Sequence, residues 1–269
     1  MVNMKHESLL SIAALRRHIA SIERHNGARS TEIFAFGAAS VDQELGGGLA
    51  LGRMHEVFAA TADNASSAAG FALMLAIRAS THGGAILWLR QEQAEFQAGR
   101  LHATGLAELG LNPERLILGI APDTQTLLKA AADSLRCAGL GAVVIEPWRS
   151  PYAIDLTVSR RLGLAAEHSG VTAILLRSDA APVPSVAQSR WEVSGTLSTP
   201  LAANAPGGTT FDIKLLRHRG GRDGLAWRVE WNRDRQIFHE TPLSGAILPL
   251  PAGGPLAAHG KVTPLRQAG

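Results

Sequence analysis

Apolar residues recur with two different periods along this chain, and the changes of period divide it. Over residues 8–25, Leu9, Ile12, Leu15, Ile19 and Ile22 return every three or four positions, with Arg16, Arg17, Glu23 and Arg24 opposite them. That spacing predicts an amphipathic helix, stopped by Asn26-Gly27. A looser stretch follows and ends in a glycine-rich turn at 45–49. Short unbroken apolar runs then take over at 54–59 (MHEVFA), 85–90 (AILWLR), 115–120 (RLILGI), 142–146 (AVVIE) and 171–177 (VTAILLR). Helical patterns fill the intervals at 65–80, 94–109, from an Asp123 or Thr124 cap to Leu135, and at 152–168. Strands alternating with helices predict βαβ units and a parallel sheet covered on both faces.

After residue 178 the pattern changes again. Two prolines and few large apolar side chains occupy 178–189, then period-two alternation marks strands at 190–197, 211–217 and 225–232. Gly220-Gly221-Arg222-Asp223-Gly224 is a turn between the last two, so these strands read as an antiparallel extension of the same sheet. Beyond 241 the chain is Pro, Gly and Ala with few charges, the composition of an unstructured tail. The expected organisation is therefore a contact helix (1–30), an α/β core (31–240) and a tail (241–269).

Composition narrows the classes. At 46% hydrophobic in 269 residues, the chain can bury a sizeable core and is not disordered throughout. The net charge of +3 is modest, yet only four of the 26 basic residues are Lys. Arg suits bidentate contact with phosphate or carboxylate, although a high-GC genome also favours Arg codons. The single cysteine excludes an internal disulfide and a multi-Cys metal site, and its apolar helical surroundings make Cys137 an expected core thiol. With no leader pattern and no long uncharged apolar segment, the expectation is a cytoplasmic protein without membrane contact.

The strand at 54–59 and the helix from 65 frame the position of a phosphate-binding loop, G-x-x-x-x-G-K-[ST]. The loop itself is Ala59-Ala60-Thr61-Ala62-Asp63-Asn64-Ala65-Ser66. No lysine occurs between Lys5 and Lys129, and no glycine between Gly52 and Gly70. Asp63 adds a negative charge where a triphosphate would lie. Losing one charge-assisted contact costs about 1.5–3 kcal/mol. Two like charges near 4 Å repel by roughly 4 kcal/mol at an intermediate dielectric. No nucleotide, no metal and no catalytic group is expected here. Ser66 is a possible hydroxyl, or a helix cap. Two acidic residues, Glu92 and Glu146, end strands where an active ATPase would activate water or hold a metal through water. Beside such a loop they read rather as strand-end carboxylates without a ligand.

F-G-A-A-S-V-D-Q-E-L-G-G-G-L-A-L-G-R-M-H-E-V-F (36–58) resembles the stretch that leads into the phosphate loop of the RecA recombinase core. L-G-L-N-P-E-R-L-I-L-G-I-A-P-D-T-Q-T-L-L (109–128) resembles a second RecA stretch. Within that superfamily, the chain resembles the ImuA family. The Arg-rich first helix and degenerate loop carry that likeness, together with W-L-R-Q-E (88–92), A-V-V-I-E-P-W (142–148), D-I-K-L-L-R-H-R-G-G-R-D-G (212–224) and W-R-V-E-W (227–231). The resemblance implies a RecA-like three-layer core with a mainly parallel central sheet. It also implies a part in SOS mutagenesis and translesion synthesis, beside an ImuB-like Y-family polymerase homologue and a RecA-type recombinase. Two alternatives stay open: a diverged RecA-paralogue ATPase, and an SOS cell-division inhibitor.

Two surfaces are candidates for such contacts. From Lys214 to Arg235 there are seven basic and three acidic residues, with Arg217, Arg219, Arg222 and Arg228 among them. Alternation puts Trp227, Val229 and Trp231 on one face and Arg228, Glu230 and Asn232 on the other. The hairpin therefore either reaches a DNA backbone or an acidic partner, or is a solvated edge whose tryptophans enter the core. The helix at 8–25, through Leu15, Arg16, Arg17, Ile19 and Ile22, either docks on a partner or a second copy, or packs on its own core.

Overall fold

The computed structural model describes residues 32–81, 83–149, 154–205 and 207–241. Helix 8–25, with Leu15, Arg16, Arg17, Ile19 and Ile22, and the tail from 242 lie outside the described residues. Within the stretch expected to be loose, β1 (Ile33–Phe34) and β2 (Leu49–Ala50) pair antiparallel around α1 (Ala39–Glu44). Asp42 closes this small unit by accepting from the Phe36 and Gly37 N–H groups at 2.6 and 2.9 Å. Gly48 sits at φ +144, where a Cβ would collide with the Phe34 carbonyl oxygen.

The predicted runs then become β3 (Met54–Ala59), α2 (Ala65–Ala79) and β4 (Ala85–Gln91). Next come α3 (Glu92–Ala98), α4 (Ala103–Glu108), β5 (Leu116–Ala121), α5 (Thr124–Ser134) and β6 (Leu140–Glu146). The helix expected at 94–109 is two, because Gly99 takes φ +83 and ends α3. Asp123 caps α5, accepting from Thr126 N–H at 2.7 Å. Cys137 corrects its expectation: it lies in the turn beyond α5 and is exposed, because the helix ends three residues before it.

Then follow α6 (Leu156–Ser169), β7 (Thr172–Arg177), β8 (Ser189–Gly195), β9 (Thr210–His218), β10 (Ala226–Asn232) and β11 (Ile237–Glu240). They complete a nine-stranded sheet of order β11-β10-β9-β8-β3-β7-β6-β4-β5. Strands β8 through β5 are parallel, and β8 to β11 add antiparallel pairs, as the alternation after 190 predicts. α2 covers one face of the sheet and α5 and α6 the other, giving three layers.

α2 is apolar nearly all round because it is enclosed nearly all round. Phe71 sits 5.4–6.2 Å, ring to ring, from Phe36, Trp191, Phe211 and Phe238. β11 is a strand the hydropathy pattern does not announce. It is only four residues long, and it exists because Phe238 completes this cluster while its N–H donates to Phe36 O at 2.9 Å.

β3 carries His55 and Glu56 between paired neighbours, where burial demands partners. Trp191 Nε1–H donates to Ser189 Oγ, Ser189 O–H donates to His55 Nδ1, and His55 Nε2–H donates to Ala50 O, with distances of 2.8, 2.8 and 2.9 Å. Ala50 O can only accept, so Nε2 carries the proton. Burial lowers the His55 pKa to about 4.

Candidate functional site

β3 ends at Ala59 and hands the chain to a turn that ties down three of its N–H groups. Ala60 N–H donates to Val193 O at 2.9 Å, and Asn64 N–H to Thr61 O at 3.0 Å. Ala65 N–H goes back to Ala62 O. The Asn64 side chain donates to Thr61 Oγ1 at 2.7 Å and accepts from Gly195 N–H at 2.9 Å, tying the loop to β8. No residue from 59 to 66 has a positive φ. A backbone cradle for phosphate needs left-handed residues, so that successive N–H groups converge. Here a tight turn runs straight into the helix. Asp63 and Ser66 are exposed, and the position before α2 is Asn64, so Ser66 does not cap the helix.

Beside the loop runs an open groove of about 760 Å³, lined by Ser66, Ser67, Gly70, Thr196, Ser198 and their neighbours, with no Lys or Arg in its lining. It offers hydroxyls but no positive charge to a polyphosphate.

The strand-end carboxylates differ. Glu146 is 2% exposed and fully engaged. Arg90 Nε donates to its Oε2 at 2.6 Å and Arg90 Nη2 to its Oε1 at 3.1 Å, while Trp88 Nε1–H donates to Oε2 at 2.8 Å. Arg90 Nη1 also holds Gly99 O at 2.8 Å. Such a carboxylate is spent on structure. Glu92 is exposed in the first turn of α3, where a carboxylate favours the helix dipole.

The opposite face of the sheet holds a looser cluster. Glu56 Oε2 lies 2.8 Å from Arg190 Nε, and burial pushes the Glu56 carboxyl up against the pull of that guanidinium. Arg177 lies over the Phe58 ring at 5.8 Å, and its Nη1 and Nη2 have no acceptor among the described residues.

The hairpin separates its four candidate arginines. Arg228 donates to both Asp212 oxygens at 2.7 and 2.9 Å, which raises its pKa. Arg222 pairs with Glu44 of α1. Arg217 and Arg219 are exposed and have no carboxylate partner among the described residues. Trp231 is buried and donates Nε1–H to Leu109 O at 2.8 Å, and Trp227 packs 6.2 Å from Trp191. The tryptophans enter the core, as one of the two readings of the hairpin has it. Arg219 instead joins Arg53 and Arg160 along a groove of about 310 Å³ beside α6. This second cationic region is missing from the sequence reading, which treats 152–168 as a covering helix. The adjacent pair Arg160-Arg161 was the available sign. Among the described residues no group of three or more His, Cys, Asp or Glu could hold a metal, and no helix is long and apolar enough to cross a membrane.

No family model matches the chain. Protein ImuA from two strains of Caulobacter vibrioides is 34% identical over 209 residues, an alignment that spans 72% of this chain and 82% of each relative. Among solved structures, the RadB recombinase superposes with a TM-score of 0.52 at 17% identity, covering 78% of this chain and all of that one. Identity so low speaks for the fold alone, and the fold is RecA-like.

Proposed function

The chain belongs to the ImuA family, and on that premise we propose that it is a non-catalytic RecA-like adaptor in SOS-induced translesion synthesis. In this role it binds a RecA-type recombinase, an ImuB-like polymerase homologue, or both, in the cytoplasm. The carrying observation is the 59–66 turn. It has no Lys, no left-handed residue and an exposed Asp63, and its Ala60, Asn64 and Ala65 N–H groups are bonded within the fold. A RecA-like frame kept without its phosphate cradle serves through its surfaces. The ATPase alternative, with a neighbour lending the missing Lys, would first have to free Glu146 from Arg90 and Trp88.

Calorimetry of the purified full chain with Mg-ATP should show no saturable heat at micromolar nucleotide, and no hydrolysis with single-stranded DNA present. Pull-down from DNA-damaged cells should recover a RecA-type protein together with polymerase components. Micromolar ATP binding, or turnover, would overturn the adaptor reading.

A further inference from the structure

α6 packs Ser159, Leu162 and Ala166 inward, and its outer face departs from an ordinary solvated helix in two ways. First, Leu156 and Leu164 are 52% and 57% exposed, and four-residue spacing places Leu156, Arg160 and Leu164 in one stripe. Second, its cations are unmatched. Arg160 and Arg161 have no carboxylate partner among the described residues. Arg136, across the groove, shares only Asp133 of its own turn, at 3.5 Å. The one carboxylate in the groove linings, Glu167, is taken by Arg53 at 2.5 Å.

Depressions flank this stripe on both sides. One, of about 870 Å³, lies toward α5 between Arg136, Arg160, Arg161, Leu164 and His168. The other, of about 310 Å³, runs toward Arg53 and Arg219. Arg160 and Leu164 line both, so a ligand lying along α6 meets cation and aliphatic surface together.

We propose that this face is a docking surface for an acidic amphipathic helix of a protein partner. Its carboxylates pair with Arg160, Arg161 and Arg136, and an aliphatic side chain seats beside Leu164. Guanidinium groups match carboxylates bidentately, and helices recognised in grooves use anchors at three- and four-residue spacing. A nucleic-acid backbone would use the same cations but gains nothing from two half-exposed leucines at their centre. The surface lies across the sheet from the 59–66 loop, so the proposal does not depend on how that loop is read.

The test uses the full chain and three labelled probes in fluorescence anisotropy. They are a synthetic Glu/Leu amphipathic peptide, the same peptide with Lys for Glu, and a single-stranded DNA oligonucleotide. The acidic peptide should bind saturably, and the Lys peptide should not. Arg160→Glu with Arg161→Glu, and separately Leu164→Asp, should each weaken the acidic peptide about tenfold or more. These side chains are exposed, so the melting temperature should stay put. The double charge reversal should in turn gain affinity for the Lys peptide, a rescue that misfolding cannot produce. The proposal is overturned if the acidic peptide does not bind, if Leu164→Asp leaves its affinity unchanged, or if the DNA binds more tightly and loses that binding on the same substitutions.

Discussion

The two faces of the central sheet treat charge in opposite ways. On the α2 face, the end of β3 and the end of β6 are closed. The Ala60, Asn64 and Ala65 N–H groups of the loop are bonded within the fold, and Glu146 is held by Arg90 and Trp88. On the α6 face, Arg177 is buried without an acceptor among the described residues, and Arg160 and Arg161 stand in solvent without carboxylates. A buried polar group without a partner is costly, whereas an exposed cation costs little and stays available to a ligand. The difference teaches where contact chemistry survives in this fold. On one face the strand-end carboxylate is held by the fold, and the unpaired exposed cations lie across the sheet.

That contrast can be broken by mutation. The largest expected loss is Phe71→Ala, which opens a hole among Phe36, Trp191, Phe211 and Phe238. It should cost about 3–5 kcal/mol in urea denaturation. Arg90→Met should cost a similar amount, about 3–5 kcal/mol, because Glu146 is left buried without its guanidinium partner. Adding Glu146→Leu to that variant should restore most of the loss. If Arg90→Met alone is harmless, Glu146 is not locked and the ATPase alternative gains ground.

The His55 network adds a pH dependence. The folded pKa of about 4 lies below the ordinary value of 6.5, so only the neutral ring is accommodated in the fold. Stability from this site is complete above about pH 6.5 and declines as the pH falls toward about 4, by roughly 3 kcal/mol in all. His55→Gln should flatten that part of the wild-type slope in denaturation series taken across this range. The smallest effect belongs to the surface. Arg222→Ala breaks an exposed pair with Glu44 and should cost less than about 1 kcal/mol. A larger loss there would mean that α1 and the β9–β10 turn brace each other.

Much of this architecture is legible in the chain itself. The run MHEVFA forms β3 at the residues expected, and ASSAAGFALMLAIRAS forms α2 to within one residue. The missing Lys and Gly of the loop need no coordinates. Where the reading stops short, the cause lies in contacts distant in sequence. β11 is too short for a period and is held by Phe238 against Phe36, some 200 positions away. Cys137 looks apolar in context, yet the helix ends before reaching it. The basic count from Lys214 to Arg235 suggests a cationic hairpin, but Asp212 and Glu44 neutralise two of the four candidate arginines from outside that window.

Periodicity and residue type alone therefore determined the α/β class, the strand-loop-helix frame at 54–80 and the absence from its loop of the Lys and Gly of the phosphate-loop pattern. They could do so because each depends on neighbours in the chain. Tertiary structure decided which charges remain free. Arg90 and Glu146 are 56 residues apart, and Arg222 and Glu44 are 178 apart. Whether an arginine is spent or available depends on what the fold brings within about 3 Å of it, and one-dimensional spacing carries no record of that distance.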